Sequence, residues 1–181
     1  MEAIKQDIIY TTDYIENLPE GERAELVDGY IYNMGTPTRI HQKLVLELST
    51  IINNYIKAQK GSCEVYPAPF AVYLSEDNKT YVEPDISVIC DKSKLNDKGC
   101  LGAPDWIIEI VSPSSVRMDY FIKLFKYPTA GVREYWIVDP IKKTITVHNF
   151  EEKTTVMYDF IDKIKLGIYQ ELYIDFSHIE I

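Results

Sequence analysis

A mixed α/β sheet flanked by helices is the fold class that this sequence predicts, on three observations. Strand-like apolar runs and helix-like apolar stripes alternate along the chain. The stretch from Gly102 to Asp139 reads as strand, turn, helix, strand, the order that lays two strands side by side under one helix. An Asp-Gly hairpin lies upstream and weaker alternating segments lie downstream, so extra strands are expected at both ends.

Taken in order, Thr12 to Leu18 before Pro19 suggests a short helix capped by Thr11 or Thr12. Glu25 to Tyr32 places apolar runs on both sides of Asp28-Gly29 and predicts two paired strands. Thr36-Pro37 is expected to open the clearest helix, with Thr36 as cap and Pro37 at the first helical position. Leu44, Val45, Leu48, Ile51, Ile52, Tyr55 and Ile56 recur there at helical spacing and give it one apolar stripe. His41 falls on the middle of that stripe, pointing inward; it is either a core histidine satisfied by a carbonyl or part of a site.

Cys63 to Leu74 reads as an extended segment that Pro67 and Pro69 confine to an edge or a bulge. Pro84 fixes an extended approach to the strand Ile86 to Cys90, with Asp85 at its start. A polar loop from Asp91 to Gly99 leads to the central stretch. After Ser112-Pro113-Ser114-Ser115 a helix is expected to send Val116, Tyr120, Phe121, Leu124 and Phe125 to the core, with Asp119, Lys123 and Tyr127 on another face. Pro128 ends or kinks that helix, Gly131 suits a left-handed cap, and Val132 to Val138 is the next strand. Thr144 to Phe150 alternates as a hairpin partner, and only weak strands and loops follow Glu151.

With 181 residues the chain fits one domain, 1–181, able to bury roughly 70% of its unfolded surface. The N-terminus carries acidic residues and lacks an apolar segment long enough for a secretory signal, and no run approaches a membrane span, so a cytoplasmic protein is expected. Cys63, Cys90 and Cys100 are odd in number and lack metal-finger spacing, which predicts reduced structural thiols. A net charge of −9 opposes non-specific adhesion to nucleic acid. Between Arg117 and Lys143, however, six basic residues stand against three acidic ones.

The chemistry concentrates on one oddity. Glu109 interrupts the apolar strand run Trp106 to Val111, and a carboxylate taken out of water costs several kcal/mol unless it is compensated. Asp85 is expected near the end of a neighbouring strand. The two carboxylates have three readings: a hydrogen-bonded structural pair, a glycosidase-like acid and nucleophile, or ligands for a hard divalent cation. Lys123 favours the third, since a lysine beside a hydrated Mg²⁺ can orient water and offset charge developing on a phosphodiester.

Pro84-Asp85 followed by Glu109 inside an apolar strand resembles the PD-(D/E)XK pattern of restriction-endonuclease-like nucleases. More specifically, six segments in order are similar to the Uma-two family: ELVDG from Glu25, His41-Gln42, EPDISVI from Glu83, IIEIVSPSS from Ile107, Asp119 with Lys123 and Tyr127, and AGVREYWIVDP from Ala130. The resemblance implies a restriction-endonuclease-like core, a homodimer, and a metal-dependent endonuclease that hydrolyses phosphodiester bonds of DNA. It implies Mg²⁺, with Mn²⁺ able to substitute, held by Asp85, Glu109 and the backbone carbonyl of Ile110. Where the plain superfamily pattern has its strand lysine, this chain has Val111; the family pattern moves the lysine to the following helix, at Lys123, with Lys126 as fallback. Asp119 is then expected to orient Lys123, and Glu25, His41 and Tyr127 to complete the pocket. The rival expectation is a catalytically degenerate fold serving as a nucleic-acid-binding or protein-interaction module.

Overall fold

The computed structural model describes residues 8–169 and 171–179; residues 1–7, part of the segment read for a secretory signal, lie outside them. Helix α1 is Thr12–Glu16, shorter than the expected Thr12 to Leu18; Thr11 stands at the N-cap position, but its side chain makes no capping hydrogen bond. Strands β1 (Ala24–Val27) and β2 (Tyr30–Asn33) form the hairpin, turned by Asp28 and Gly29 at φ 51° and 80°. Both angles are left-handed, and Asp-Gly is the pair that tolerates them. Helix α2 runs Arg39–Ala58, so its cap is Thr38 and not Thr36. The Thr38 hydroxyl accepts the His41 N–H at 3.2 Å, and Pro37 lies before the helix instead of at its first position.

Next come β3 (Glu64–Pro67), β4 (Val72–Tyr73), β5 (Tyr81–Val82) and β6 (Ile86–Ile89). The expected polar loop after Asp91 instead holds a 3₁₀ turn, Lys92–Lys94, and a small hairpin, β7 (Leu95–Asn96) with β8 (Gly99–Leu101). Gly99 is required there: a Cβ would meet the Ala71 carbonyl oxygen at 2.2 Å. Strand β9 is Trp106–Ile110, a π-turn spans Met118–Ile122, and α3 is Lys123–Ala130. The helix runs through Pro128 to Ala130 before Gly131 closes it at φ 103°. Strands β10 (Glu134–Asp139), β11 (Thr144–Asn149), β12 (Thr154–Asp159), β13 (Lys163–Lys165) and β14 (Tyr173–Asp175) complete the order.

The central sheet has the order β12-β11-β10-β9-β6-β3 and is mixed, with β9 and β10 parallel under the α3 crossover and the other pairs antiparallel. One face is covered by the α2 stripe of Leu44, Leu48 and Ile52, which meets Trp106, Ile108 and Trp136, and by the β13–β14 hairpin through Ile164 and Ile174. The other face carries Ile107, Val111, Tyr135 and Ile137 against Tyr127 and a second six-stranded sheet, β2-β1-β5-β4-β8-β7. The N-terminal hairpin is thus the edge of a sheet that the short strands build.

Two further expectations fail, for physical reasons. Val116, Phe121 and Phe125 face outward, with Phe125 73% exposed, whereas Asp119, Lys123 and Tyr127 are buried. The polar stripe goes inward because Lys123 meets the Glu25 and Glu109 carboxylates of two strands there. Cys63 and Cys90 are joined in a disulfide, since the β3–β6 register from Glu64–Ile89 sets the preceding and following residues side by side. Cys100 remains a free, buried thiol. Among the described residues no helix is long and apolar enough to cross a membrane.

Candidate active site

The antiparallel register of β6 and β9, Ile86 opposite Ile108, carries Asp85 opposite Glu109 at the strand ends. Their contact is direct: the Asp85 N–H donates to Glu109 Oε2 at 3.3 Å, and the Ile110 N–H donates to Asp85 Oδ2 at 2.7 Å. His41, at the start of α2, completes the hold on Asp85, with Nε2 3.0 Å from the same Oδ2. The protein contacts of the Asp85 side chain therefore converge on one oxygen.

Glu109 is gripped from the other side. Its Oε1 accepts from Lys123 Nζ at 2.8 Å and from the Tyr127 hydroxyl at 2.7 Å. Lys123 Nζ also lies 3.0 Å from Glu25 Oε1 and 3.7 Å from Asp119 Oδ1. Its neighbours are thus Glu109 and Glu25 first and Asp119 third, and Glu25 ties the second sheet to the central one through this ammonium. The Glu109 and Lys123 side chains are only 4% and 5% exposed, so these contacts are made almost without water.

Charge does not balance in this cluster. One lysine faces three carboxylates, with Asp85 adjacent. Burial raises the Glu109 carboxyl well above its ordinary value against the opposing pull of Lys123, and burial pushes Asp119 up to about 6. Burial alone would lower the Lys123 ammonium, but Glu109, Glu25 and Asp119 together outweigh it and hold the side chain protonated. Burial and the same carboxylates hold the Tyr127 hydroxyl protonated. The carboxylates call for protons or an additional cation.

A second buried glutamate marks the difference. Glu134 is fully buried, yet its oxygens accept from Trp136 Nε1 at 2.6 Å and from the Gly167 and Ile168 N–H groups at 2.8 and 3.0 Å. It is a satisfied structural clasp. The Asp85–Glu109 group instead borders a cleft of about 310 Å³ that also reaches Glu25, His41, Asp119 and Lys123. Tyr127 lies behind Glu109, and Lys126 pairs with Asp28 on the surface. Two features beside the cleft are not in the sequence reading: Arg23, paired with Glu83, and the position of the Ser112–Ser115 turn, read only as a break and cap, along the cleft lining. Arg23 stands two residues before Glu25, a spacing that places both on one face of an extended segment.

Among the described residues no three His, Cys, Asp or Glu side chains are arranged to ligate an ion by themselves. The site offers two acidic side chains, which suits a small hard cation that keeps several waters.

Residues 11–166 match the family profile described as "Uma2: Putative restriction endonuclease". The chain belongs to the Uma2 family. Consistent with Uma2 membership, the fold matches a crystal structure described as a putative nuclease from Anabaena variabilis, with a TM-score of 0.77 over 93% of this chain and 96% of that one. At 22% identity that likeness establishes the shared fold. Among curated sequences, this Uma2 chain is 30% identical over 98 residues to an uncharacterized Synechocystis protein, covering 54% of this chain and 50% of the relative. It is 28% identical over 86 residues to a Brucella suis protein named peptide deformylase, covering 47% and 46%. The chain spans about half the length of the curated relatives it matches.

Proposed function

We propose that this protein is a metal-dependent endonuclease that hydrolyses DNA phosphodiester bonds within a single restriction-endonuclease-like domain spanning residues 1–181. The observation that carries the reading is the convergence of Asp85 and Glu109 on adjacent strands with Lys123, from the following helix, 2.8 Å from Glu109. Family membership and the nuclease-like fold support it. Asp85 and Glu109, with the Ile110 carbonyl, would hold Mg²⁺ or Mn²⁺, which when bound neutralises phosphate oxygens and acidifies a water.

The chain's own residues do the rest. His41 and the Ile110 N–H both bond Asp85 Oδ2, which leaves Oδ1 for the ion or its water. Lys123, held protonated by three carboxylates, cannot take a proton from water; it is a donor that orients the nucleophile and offsets charge on the phosphate. Glu25 and Asp119 position that ammonium, and Tyr127 fixes the Glu109 rotamer. Valine at position 111 is no obstacle, because the lysine arrives from the helix with its ammonium over the same strand end. The substrate is DNA, a second copy of the chain is the other partner, and the setting is the cytoplasm. The Cys63–Cys90 bond is at odds with that compartment, where disulfides are rare, and a thiol count on protein from cell extract decides it.

The test is cleavage of supercoiled, linear and single-stranded DNA, and of RNA, with Mg²⁺, Mn²⁺ or EDTA, beside the Asp85→Asn protein. Metal-dependent DNA cleavage lost in Asp85→Asn supports the reading. Absence of cleavage with every substrate moves it to a degenerate nucleic-acid-binding or protein-interaction module.

A further inference from the structure

The cleft is poor in cations for a site that receives a nucleic-acid strand. Five carboxylates line it, those of Glu25, Glu83, Asp85, Glu109 and Asp119, against two Lys or Arg side chains, Lys123 and Arg23. Lys123 is 5% exposed and enclosed by carboxylates, whereas the Arg23 side chain is 37% exposed. The basic residues between Arg117 and Lys143 do not make up the shortage, because Lys123 alone of the six reaches the cleft. Lys126 is paired with Asp28, Arg133 with Asp105 and Glu151, and Lys142 with Asp139.

Arg23 is held in one orientation. Its Nε donates to Glu83 Oε2 at 2.9 Å, and its Nη2 bonds the same oxygen. Glu83 is itself buried, and its Oε1 accepts from the Tyr81 hydroxyl at 2.6 Å. The guanidinium is thus gripped along one side of its fork, and Nη1 has no hydrogen-bond partner among the described residues. An ion pair with so exposed an arginine adds little to the fold, so its effect here is to aim the remaining donors.

The backbone sets where they are aimed. The Glu83 N–H donates to Glu25 Oε1 at 3.0 Å, and the Asp85 N–H, two residues on, donates to Glu109 Oε2 at 3.3 Å. Alternate residues of an extended segment share a face, so Glu83 and Asp85 border the cleft together, about 6–7 Å apart along the chain. That step is comparable with the step between successive phosphates of one strand.

We infer that Arg23 binds the phosphate next to the one that is cut, as a positioning residue clamped by Glu83. The inference rests on the nucleic-acid substrate of the proposed function. The scissile phosphate lies at Asp85 and Glu109 beside Lys123, and its neighbour meets the free end of the Arg23 fork. Such a contact fixes the strand without reading its bases.

Anisotropy of labelled single-stranded and duplex oligonucleotides, in EDTA so that no strand is cut, tests this on the wild type, Arg23→Gln and Arg23→Lys. Arg23→Gln is expected to bind about tenfold more weakly and to lower the slope of log affinity against log salt by about 0.7–0.9, one phosphate contact. Arg23→Lys keeps the slope, since it keeps the charge. In cleavage, Arg23→Gln raises KM for an oligonucleotide and spares kcat. Hydrolysis of bis(p-nitrophenyl) phosphate, a diester with no neighbouring phosphate, is unchanged. A wild type that binds neither oligonucleotide, or an Arg23→Gln protein with unaltered affinity and slope, overturns the assignment. So does an equal loss on both cleavage substrates, which would put Arg23 at the scissile phosphate. Arg23-dependent binding without any cleavage supports the assignment while sinking the nuclease reading, so the two fail separately.

Discussion

Lys123 Nζ stands 2.8 Å from Glu109 Oε1, a contact between the first residue of α3 and a strand carboxylate that is almost wholly out of water. The pair answers the question that Glu109 raises in the sequence. Removing its cation leaves Glu109, Glu25 and Asp119 without their shared partner, so Lys123→Met is expected to destabilise the fold by about 3–5 kcal/mol in urea unfolding. Lowering the pH, which protonates the stranded acids, narrows that deficit. A loss below 1 kcal/mol at neutral pH would mean the cluster is solvated.

Asp119 makes the metal-free protein's stability depend on pH in a direction opposite to that of most acids. Burial holds its folded value at about 6, above the ordinary 3.8, so the fold favours the protonated form. The associated stability is fully present below about pH 4 and is lost as pH rises through 6, by on the order of 3 kcal/mol. Denaturant titrations from pH 4 to 7 are expected to show this fall, and Asp119→Asn to flatten it.

His41 bonds Asp85 Oδ2 at 3.0 Å and serves to aim the carboxylate. Hydrogen-bond partners that orient a metal-binding side chain in this way are worth about 10–100-fold in metal affinity. Calorimetric Mn²⁺ titration of His41→Ala is expected to show that loss, with His41→Gln recovering part of it through its amide N–H. Unchanged affinity in His41→Ala would make His41 a packing residue.

Glu134 provides the control. Glu134→Ala strands the Trp136 indole and the Gly167 and Ile168 amides, so about 2–4 kcal/mol of stability is expected to go. Metal affinity should not move, because Glu134 has no contact with the Asp85–Glu109 group. A change in Mn²⁺ binding would couple the C-terminal segment to the cleft.

The acids were legible in the sequence because a charge inside an apolar strand has few explanations, and Pro84 marked where Asp85 enters its own strand. The α2 stripe was legible for the same periodic reason. The helix after Ser115 was not: it carries an apolar and a polar stripe at the same spacing, and only the presence of Glu109 and Glu25 beneath it decides which turns inward. The π-turn at Met118–Ile122 leaves no trace in the residue pattern and sits where Asp119 joins the cluster. The second sheet depends on strands of two or three residues, too short for a period, and the Cys63–Cys90 bond on a strand register that the spacing of cysteines does not specify.

Binding of Mn²⁺ to the wild type, Asp85→Asn and Glu109→Gln, each verified as folded by its near-UV circular dichroism, is the most direct test of the paired-carboxylate site. A bound ion is expected in the wild type, with an affinity at least tenfold weaker in each variant. Equal affinity in all three proteins would contradict it, since Asp85 and Glu109 would then hold no metal.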